Sequence, residues 1–228
     1  MATVKRLVCL ANSKKLSERC VAGKEVGDNR PSGWIRPVSA REHGEVSRVD
    51  RMYADRSDPN VRDLMDVQLL EPRPKDYQQE NWLLDPATRW RCAGRASWEL
   101  LQRLVDPPEP LWIDGHSTMR GENDEIPLGK TVALRTSLRL IRVDRLTLSV
   151  FNHYGRRKVQ GQFEHAGTHY RLYVTDPTYE IPYAGRPDGN YKIGECIMTI
   201  SLSEPFLEQN ACYKLIAAII EPDQDDTK

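Results

Sequence analysis

Hydrophobic and polar residues alternate most regularly in the stretch 137–176, in three runs at 145–150, 158–164 and 169–175. In each run every second residue is apolar or small, and the intervening residues are polar or charged. Period-two patterning buries one face of a sheet and exposes the other. The three runs therefore predict three neighbouring β-strands.

The connections between these strands are short. Asn152–Arg156 joins the first two runs, and Ala166–Gly167 joins the second to the third. Short turns between alternating runs predict an antiparallel up-and-down meander. Gly161 lies in the middle of the second strand, where a residue without a Cβ allows the bend or bulge that a small barrel needs.

The rest of the chain offers more strands and one clear helix. Apolar runs predict the strands, and Ser97 can cap a helix whose apolar residues are spaced by three and four up to Pro107. The connection 177–194 is predicted to lack a substantial helix, and the acidic residues 221–228 are predicted to be disordered. The further strands are predicted at Val4–Leu10, Arg19–Val26, Gly33–Ser39, Val67–Leu70, Cys196–Leu202 and Tyr213–Ile220.

This order of elements predicts a mainly β protein with a minor helical part. About five strands in each half describe two tandem small β-barrels of the oligonucleotide/oligosaccharide-binding (OB) type, with one helix in the first half. The predicted domains are residues 1–130, residues 131–220 and the tail 221–228. SH3-like barrels and PUA-like pseudobarrels would produce similar patterns.

Composition excludes several classes of protein. No apolar run approaches the roughly 20 residues that a membrane-spanning helix requires, and the first residues do not resemble a targeting signal. The five cysteines are scattered, without a C-x-x-C pair, which indicates neither a disulfide framework nor a zinc site. We therefore expect a reduced, cytoplasmic protein.

Charge is zero overall but unevenly distributed. Residues 1–51 and 135–175 are net basic, and residues 52–134 and 176–228 are net acidic. The blocks could neutralise one another internally, or the basic blocks could form faces that meet a polyanion. The block 135–175 has two acidic residues against eight basic ones: Arg135, Arg139, Arg142, Arg145, Arg156, Arg157, Lys158 and Arg171.

Four stretches near the two ends of the chain form a recognisable set. They are Cys9–Lys14 continuing to Arg19–Gly23, then Gly33–Ser39, Arg171–Pro177 and Tyr213–Ile220. Together they resemble the bacterial dual OB-containing domain family over almost the whole chain. The resemblance implies two tandem OB barrels with a nucleic-acid role, and it supplies no catalytic residues.

The first predicted binding surface is the loop after the first strand together with the third strand. OB barrels use cations for phosphates and flat side chains for bases. Here Lys14, Lys15 and Arg19 are candidates for phosphate contacts, Trp34 for base stacking and Arg36 for a further cationic contact. The alternatives are a merely solvated loop, a buried Trp34 and an Arg36 paired with a carboxylate.

The second predicted surface lies on the meander. Arg156, Arg157 and Lys158 stand at a strand-joining loop beside Tyr154. Arg171 and Tyr173 share the polar parity of the third strand. Cations and aromatic rings on one face are typical of single-stranded nucleic-acid binding, although outward strand positions also carry Arg and Lys simply to guard an edge.

Enzymatic interpretations find little support. The chain has no phosphate-binding G-x-x-x-x-G-K-[ST], no G-x-S-x-G and no H-E-x-x-H motif. The five histidines lack metal-ligand spacing, and His165 and His169 flank a turn where both are expected to face water. We predict a non-enzymatic protein without a cofactor or a bound metal.

The predicted function is single-stranded nucleic-acid or nucleotide binding, as an accessory to a separate bacterial enzyme and without a membrane. A protein-interaction scaffold is the first alternative, because alternating charge blocks can dock complementary partners. A small-molecule or modified-base pocket formed by Trp34, Trp82 and Trp112 is the second.

Overall fold

The computed structural model describes residues 2–27 and 33–223. The chain divides into two compact units, residues 1–104 and residues 105–228. Both units are built mainly from β-strands. Each unit is described by itself below.

The described residues of the first unit form six strands and two helices. Buried and less buried residues alternate along β4, whereas β1, β2 and β3 each contain a run of four or five consecutive buried residues. The elements are β1 (Thr3–Lys15), β2 (Glu18–Glu25), β3 (Trp34–Val38), α1 (Arg48–Arg51), β4 (Asp63–Pro72), β5 (Asn81–Leu84), β6 (Arg91–Arg95) and α2 (Trp98–Leu104).

Five of these strands close into a barrel. β1 pairs antiparallel with β2 and with β4, β2 pairs antiparallel with β3, and β5 joins β3 in parallel and β4 in antiparallel. β6 extends the sheet from β4. The barrel interior holds Leu7, Val21, Met65 and Trp90 among its buried residues.

Helix α2 begins as its sequence predicts. The backbone N–H of Leu100 donates to the Ser97 hydroxyl at 3.2 Å, which satisfies one of the free donors of the first turn. Trp98, Leu101 and Leu104 are the buried residues of the helix. Spacing of three residues puts these side chains on one face.

The outer face of β1 and β2 is not open to solvent. Val8 and Leu10 alternate with the core residue Cys9, yet both are completely buried. On β2, Lys24 is also buried, and its ammonium donates to the carbonyl of Leu104 at 2.6 Å. The first barrel is therefore covered on this face as well as filled inside.

In the second unit, residues 105–223 form six strands, one α-helix and a 3₁₀ helix. Its elements are β7 (Glu125–Pro127), the 3₁₀ helix (Leu128–Ala133), β8 (Leu138–His153), β9 (Arg156–His165), β10 (Thr168–Val174), α3 (Pro177–Ala184), β11 (Gly189–Leu202) and β12 (Ala211–Ile220).

The predicted meander is present as β8, β9 and β10, paired antiparallel in sequence order. β11 pairs antiparallel with β8 and β12, and β12 meets β10 in parallel, so this sheet also closes. The first barrel has the same order of pairings. Both units are thus five-stranded barrels, which confirms the predicted fold class.

Gly161 has a different role from the one its position suggests. The β8–β9 pairing passes through Gly161 without a register shift, so no bulge lies there. A Cβ on Gly161 would lie 2.4 Å from Ile216 Cδ1 and 3.0 Å from Leu146 Cδ1. The glycine is needed because two core side chains pack directly against its backbone.

The connection 177–194 contains α3, which corrects the prediction of a segment without a substantial helix. Asp176 caps this helix by accepting from the N–H of Thr178 at 2.9 Å, and Pro177 occupies the first turn, which suits its fixed φ. The prediction was misled by Pro182, which lies inside the helix. Of the predicted disordered tail, residues 224–228 lie outside the described residues.

The division between the units falls before the predicted boundary near Lys130. Leu111 is buried in the core of the second unit. Backbone bonds join Glu122 to Arg171, and β7 pairs with β12. The polar loop that suggested a linker is therefore fastened to the second barrel.

Candidate nucleic-acid interface

The outer face of β8, β9 and β10 carries polar and aromatic side chains in rows. Gln160 lies opposite both Ser149 and Tyr173, and Gln162 lies opposite Arg171. In the row nearest the β8–β9 turn, Phe151 faces Lys158. The core residues of the same strands alternate with these, so the row residues all point away from the barrel interior.

An apolar cavity of about 340 Å³, which we call the aromatic cavity, lies at one end of this face. Tyr173 of β10 and Tyr213 of β12 form part of its wall, and Phe206 enters from the loop between β11 and β12. The Phe206 and Tyr213 rings meet edge to face, with centroids 5.1 Å apart. His153, at the end of β8, completes the ring of flat side chains.

A second cavity of about 480 Å³, the polar cavity, lies over the middle of the same face. Its floor is formed by Ser149, Gln160, Gln162 and Arg171 from three adjacent strands. Phe151 forms its apolar side. An amide and a hydroxyl can both donate and accept hydrogen bonds, and a guanidinium donates them, so this cavity suits a polar ligand edge.

Met119 and Arg120 line both cavities. The Arg120 guanidinium carbon lies 5.4 Å from the centre of the Phe151 ring, within the range of a cation–π contact. The Met119 side chain is 93% exposed. These two residues form the partition between the aromatic and polar cavities.

The partition is the tip of the 115–124 loop, which is cross-braced by its own side chains. The Asp124 carboxylate accepts from the backbone N–H and from the hydroxyl of Thr118, each at 2.7 Å. Asn123 accepts from the N–H of Gly115 at 2.6 Å, and its own N–H donates to the Ser117 hydroxyl at 2.9 Å. Such a network fixes the position of the tip.

The same loop is fastened to the barrel. Glu122 exchanges two backbone hydrogen bonds with Arg171, of 3.2 and 3.0 Å. The Gln160 amide donates to the Arg120 carbonyl at 3.2 Å, and the N–H of Lys214 donates to the Asp124 carbonyl at 2.8 Å. The partition is therefore held at a fixed height above the sheet.

A buried ionic group supports the barrel beneath the loop. Lys214 is 1% exposed, and its ammonium donates to Asp114 at 2.7 Å. The Tyr170 hydroxyl donates to the other Asp114 oxygen at 2.8 Å and accepts from the N–H of Leu111 at 3.1 Å. Burial lowers the pKa of Lys214, which the hydrogen bond to Asp114 opposes.

Burial also affects the tyrosines of the aromatic cavity. It raises the pKa of Tyr173. It also raises the pKa of Tyr213, and the nearby carboxylates of Glu125 and Asp124 raise that pKa further. Both phenols therefore remain protonated at neutral pH. Their rings offer uncharged flat surfaces, which is what base stacking requires.

Of the predicted second-barrel residues, Tyr173 lines the aromatic cavity and Arg171 lines the polar cavity. Lys158, Arg171 and Tyr173 lie half-buried on the outer face. Tyr154 is 91% exposed at the β8–β9 turn, where its ring lies against that of His153, and Arg156 beside it is also exposed.

Arg157 does not join this group. It has the parity of the core residue Val159, so its side chain leaves the sheet on the opposite face from Lys158. There it forms an ion pair with Asp188 and donates to the carbonyls of Ala184 and Arg186. Arg157 therefore holds the end of α3 in place and is not part of the site.

Two other cations of the basic block are neutralised within the unit. Arg142 pairs with Glu195 at 2.6 Å, and Arg139 approaches Glu109 at 3.5 Å. The basic block is thus not one continuous cationic surface. The positive charge of the candidate site comes from Arg120, Arg156, Lys158 and Arg171.

In the first barrel, Arg36 is 4% exposed and forms an ion pair with Glu80 at 3.3 Å. The paired, buried guanidinium is a structural element of the barrel, as the alternative interpretation of Arg36 stated. Trp34 is half-buried, and the ammonium of Lys24 lies 5.4 Å from the centre of its ring.

The remaining predicted cations of the first barrel lie together at one hairpin. Lys14 and Arg19 face each other across the β1–β2 turn. Lys14 is exposed and Arg19 half-buried, while the Lys15 ammonium donates to the carbonyl of His43. The role of this hairpin as a phosphate contact stays a prediction.

The sequence did not indicate several residues of the site. Phe206 lies in a polar loop and Tyr213 begins an apolar strand, so neither had a pattern that distinguished it from ordinary loop and core residues. Met119 and Arg120 come from the segment before β7, far from the meander in sequence. Only Phe151 could have been found, because it has the polar parity of β8.

The other sequence-based candidates are also placed. His165 is buried and not solvated, with its ring nitrogen 3.0 Å from the Glu109 carbonyl, and burial lowers its pKa. Trp82 packs against the first core and Trp112 against the second. In the described part of the chain, no cluster of His, Cys, Asp or Glu is arranged to hold a metal.

None of the helices in the described residues combines the length and the apolar character needed to cross a bilayer.

Two closed five-stranded barrels, each with the pairing order of an OB barrel, define the chain as a double OB-fold protein. Residues 5–219 match the model of the dual OB-containing domain family, and the chain belongs to that family. No curated protein and no solved structure shows significant similarity to it.

Proposed function

We propose that this protein binds single-stranded nucleic acid through the outer face of its second barrel. The observation that carries the proposal is the aromatic cavity, where Tyr173, Tyr213 and Phe206 adjoin a face with four cations that form no ion pair among the described residues. OB barrels take oligonucleotides on the face of their second and third strands, which are β9 and β10 here. The family membership supports a binding module of this fold and leaves the ligand open.

Each part of the face has a role in this proposal. The aromatic cavity takes bases, since stacking on aromatic rings contributes roughly 1–3 kcal/mol per base. Arg120, Arg156 and Lys158 lie beside it and neutralise phosphates. The role is binding and not catalysis, and a separate enzyme would act on the bound strand.

The test is fluorescence anisotropy with a labelled oligonucleotide of about ten residues, within the range that one OB fold covers. Phe206→Leu keeps the apolar bulk without a π-face, and we expect it to weaken binding at least fivefold, the low end of one lost stacking contact. Phe206→Tyr keeps the ring and retains affinity. Equal affinity of the two variants would contradict base stacking at this position.

Electrostatic contacts are tested separately by salt. The logarithm of affinity should fall linearly with the logarithm of salt concentration, with a slope of about −0.7 per neutralised phosphate for a single strand. Arg156→Glu together with Lys158→Glu should weaken binding and flatten that slope. The control is Arg103→Glu, which reverses one charge at an exposed position of α2 in the first unit. This variant should leave the slope unchanged.

A protein partner is a second candidate, favoured by exposed apolar side chains at the same end of the barrel. Met119, Tyr154, Phe206 and Leu207 are all between 49% and 93% exposed, and clusters of this kind mark interaction sites. A pull-down that retains a protein after nuclease treatment, from a chain that fails to bind any oligonucleotide, would favour this candidate.

A further inference from the structure

The polar cavity differs from the aromatic cavity in its chemistry. Its floor combines the Arg171 guanidinium with the Gln162 amide directly opposite and the Ser149 hydroxyl in the next row. The aromatic cavity offers flat surfaces, which every base has. The polar cavity instead offers directed hydrogen-bonding groups, which distinguish one base from another.

The Arg171 guanidinium is positioned at the cavity without a carboxylate of the described residues to neutralise it. Its Nε is completely buried and has no hydrogen-bond partner among the described residues. In that part of the chain no carboxylate forms an ion pair with its side chain, in contrast to Arg139, Arg142 and Arg157. A buried donor without a partner destabilises the free protein, by an amount that a bound acceptor would recover.

The backbone of Arg171 is fixed on both sides, since it pairs with Gln162 on β9 and with Glu122 of the 115–124 loop. The side chain therefore rises from a rigid point of the sheet. A guanidinium so placed presents two parallel donors to one planar ligand edge.

We propose that the polar cavity is a guanine-reading subsite adjacent to the stacking site, a proposal that rests on the proposed function. Guanine presents O6 and N7 as two acceptors on one edge, which match the bidentate donors of arginine. Its N1–H and N2 amino groups lie on the neighbouring edge and can donate to the Gln162 side-chain oxygen. The partition formed by Met119 and Arg120 separates this base from the one in the aromatic cavity.

Other ligand groups complement the cavity less well. Adenine places its amino donor beside N7, so this edge would oppose a donor to the Arg171 guanidinium. A phosphate offers only acceptors and would leave the Gln162 and Gln160 oxygens without donors. Of the two purines, guanine is the one that uses both the guanidinium and the amide.

The experiment compares oligothymidylates of about ten residues that differ only in one central base. We expect guanine to bind roughly tenfold more tightly than adenine, the discrimination typical of one bidentate pair. 7-Deazaguanine, which lacks the N7 acceptor, should lose most of that preference. Guanosine monophosphate is then added as a competitor. If it displaces the guanine oligonucleotide with an affinity equal to that of the oligonucleotide, the result supports the subsite and shows that a free nucleotide is its ligand.

The protein variants separate base reading from charge. Arg171→Lys keeps the charge but not the two parallel donors, so the ratio of guanine to adenine affinity should fall toward one. Arg103→Met, which removes a cation elsewhere, should preserve the ratio. Unchanged thermal unfolding of Arg171→Lys shows that the barrel is intact.

Two outcomes would overturn the inference and can be told apart. Equal affinities for guanine and adenine in a chain that binds oligothymidylate would refute the guanine subsite and leave the proposed function standing. Failure of every oligonucleotide and of guanosine monophosphate to bind would refute both.

Discussion

Gly121 stands at the point where the 115–124 loop has no space for a side chain. A Cβ at this position would lie 1.8 Å from Asp124 Oδ2 and 1.9 Å from its Cγ. Atoms cannot approach so closely, so Gly121→Ala must expel the Asp124 carboxylate from its place. That carboxylate is what holds Thr118, two residues from Arg120 at the tip.

The magnitude follows from the bonds that would be lost. Asp124 is 2% exposed and accepts two hydrogen bonds of 2.7 Å from Thr118. Hydrogen bonds to a charged group contribute about 1.5–3 kcal/mol each. Loss of both destabilises the loop by about 3–6 kcal/mol. The barrel core does not include these residues, so the loop should open while the barrel stays folded.

Limited proteolysis measures this opening directly. Arg120 is an exposed trypsin site at the loop tip, and cleavage there tracks the population of the open loop. We expect Gly121→Ala to be cut after Arg120 at least a hundredfold faster than the parent chain, with a loss of oligonucleotide affinity. The matched control is Gly129→Ala, where an added Cβ meets nothing within 4 Å.

An equal cleavage rate in Gly121→Ala and the parent chain would refute the reasoning, because the loop would then not depend on Asp124. Faster cleavage with full oligonucleotide affinity would keep the structural argument and remove the partition from the binding site. A general loss of thermal stability in both glycine variants would show that the effect is not local.

Three further predictions concern stability. Asp114→Asn removes the anion from the buried Lys214 ammonium and should cost about 3 kcal/mol, seen as a melting temperature lowered by about 10 °C. Burial lowers the pKa of His165 in the native chain, so below about pH 6.5 the unfolded chain binds a proton that the native chain does not. Urea denaturation should therefore show a free energy of unfolding that falls as the pH drops toward the native pKa of His165. Ser97→Ala should cost about 1 kcal/mol by uncapping α2.

The strands of the second barrel could be predicted because their signal is local. Alternation in β8, β9 and β10 fixes which side chains point outward, and Arg171 and Tyr173 were placed on the outer face for that reason. The same parity separates Arg157 from Lys158, although a run of three cations in the sequence suggests a single patch. Register, and not proximity along the chain, decides which cations share a face.

The rest of the site depends on contacts between distant segments. The partition comes from the 115–124 loop, and nothing in its polar, glycine-bounded sequence shows that Glu122 pairs with β10. Phe206 and Tyr213 reach the cavity because β12 closes the barrel beside β10. Barrel closure depends on the pairing of the whole sheet, so no short stretch of the sequence predicts it.

The covered outer face of β1 and β2 bears on valency. With Val8 and Leu10 buried, the outer face of β1 and β2 is closed to a strand of nucleic acid. A single chain would then engage one short segment of strand, and titration should saturate at one oligonucleotide per protein. A long nucleic-acid strand would be covered by several protein molecules, each of which binds a few bases.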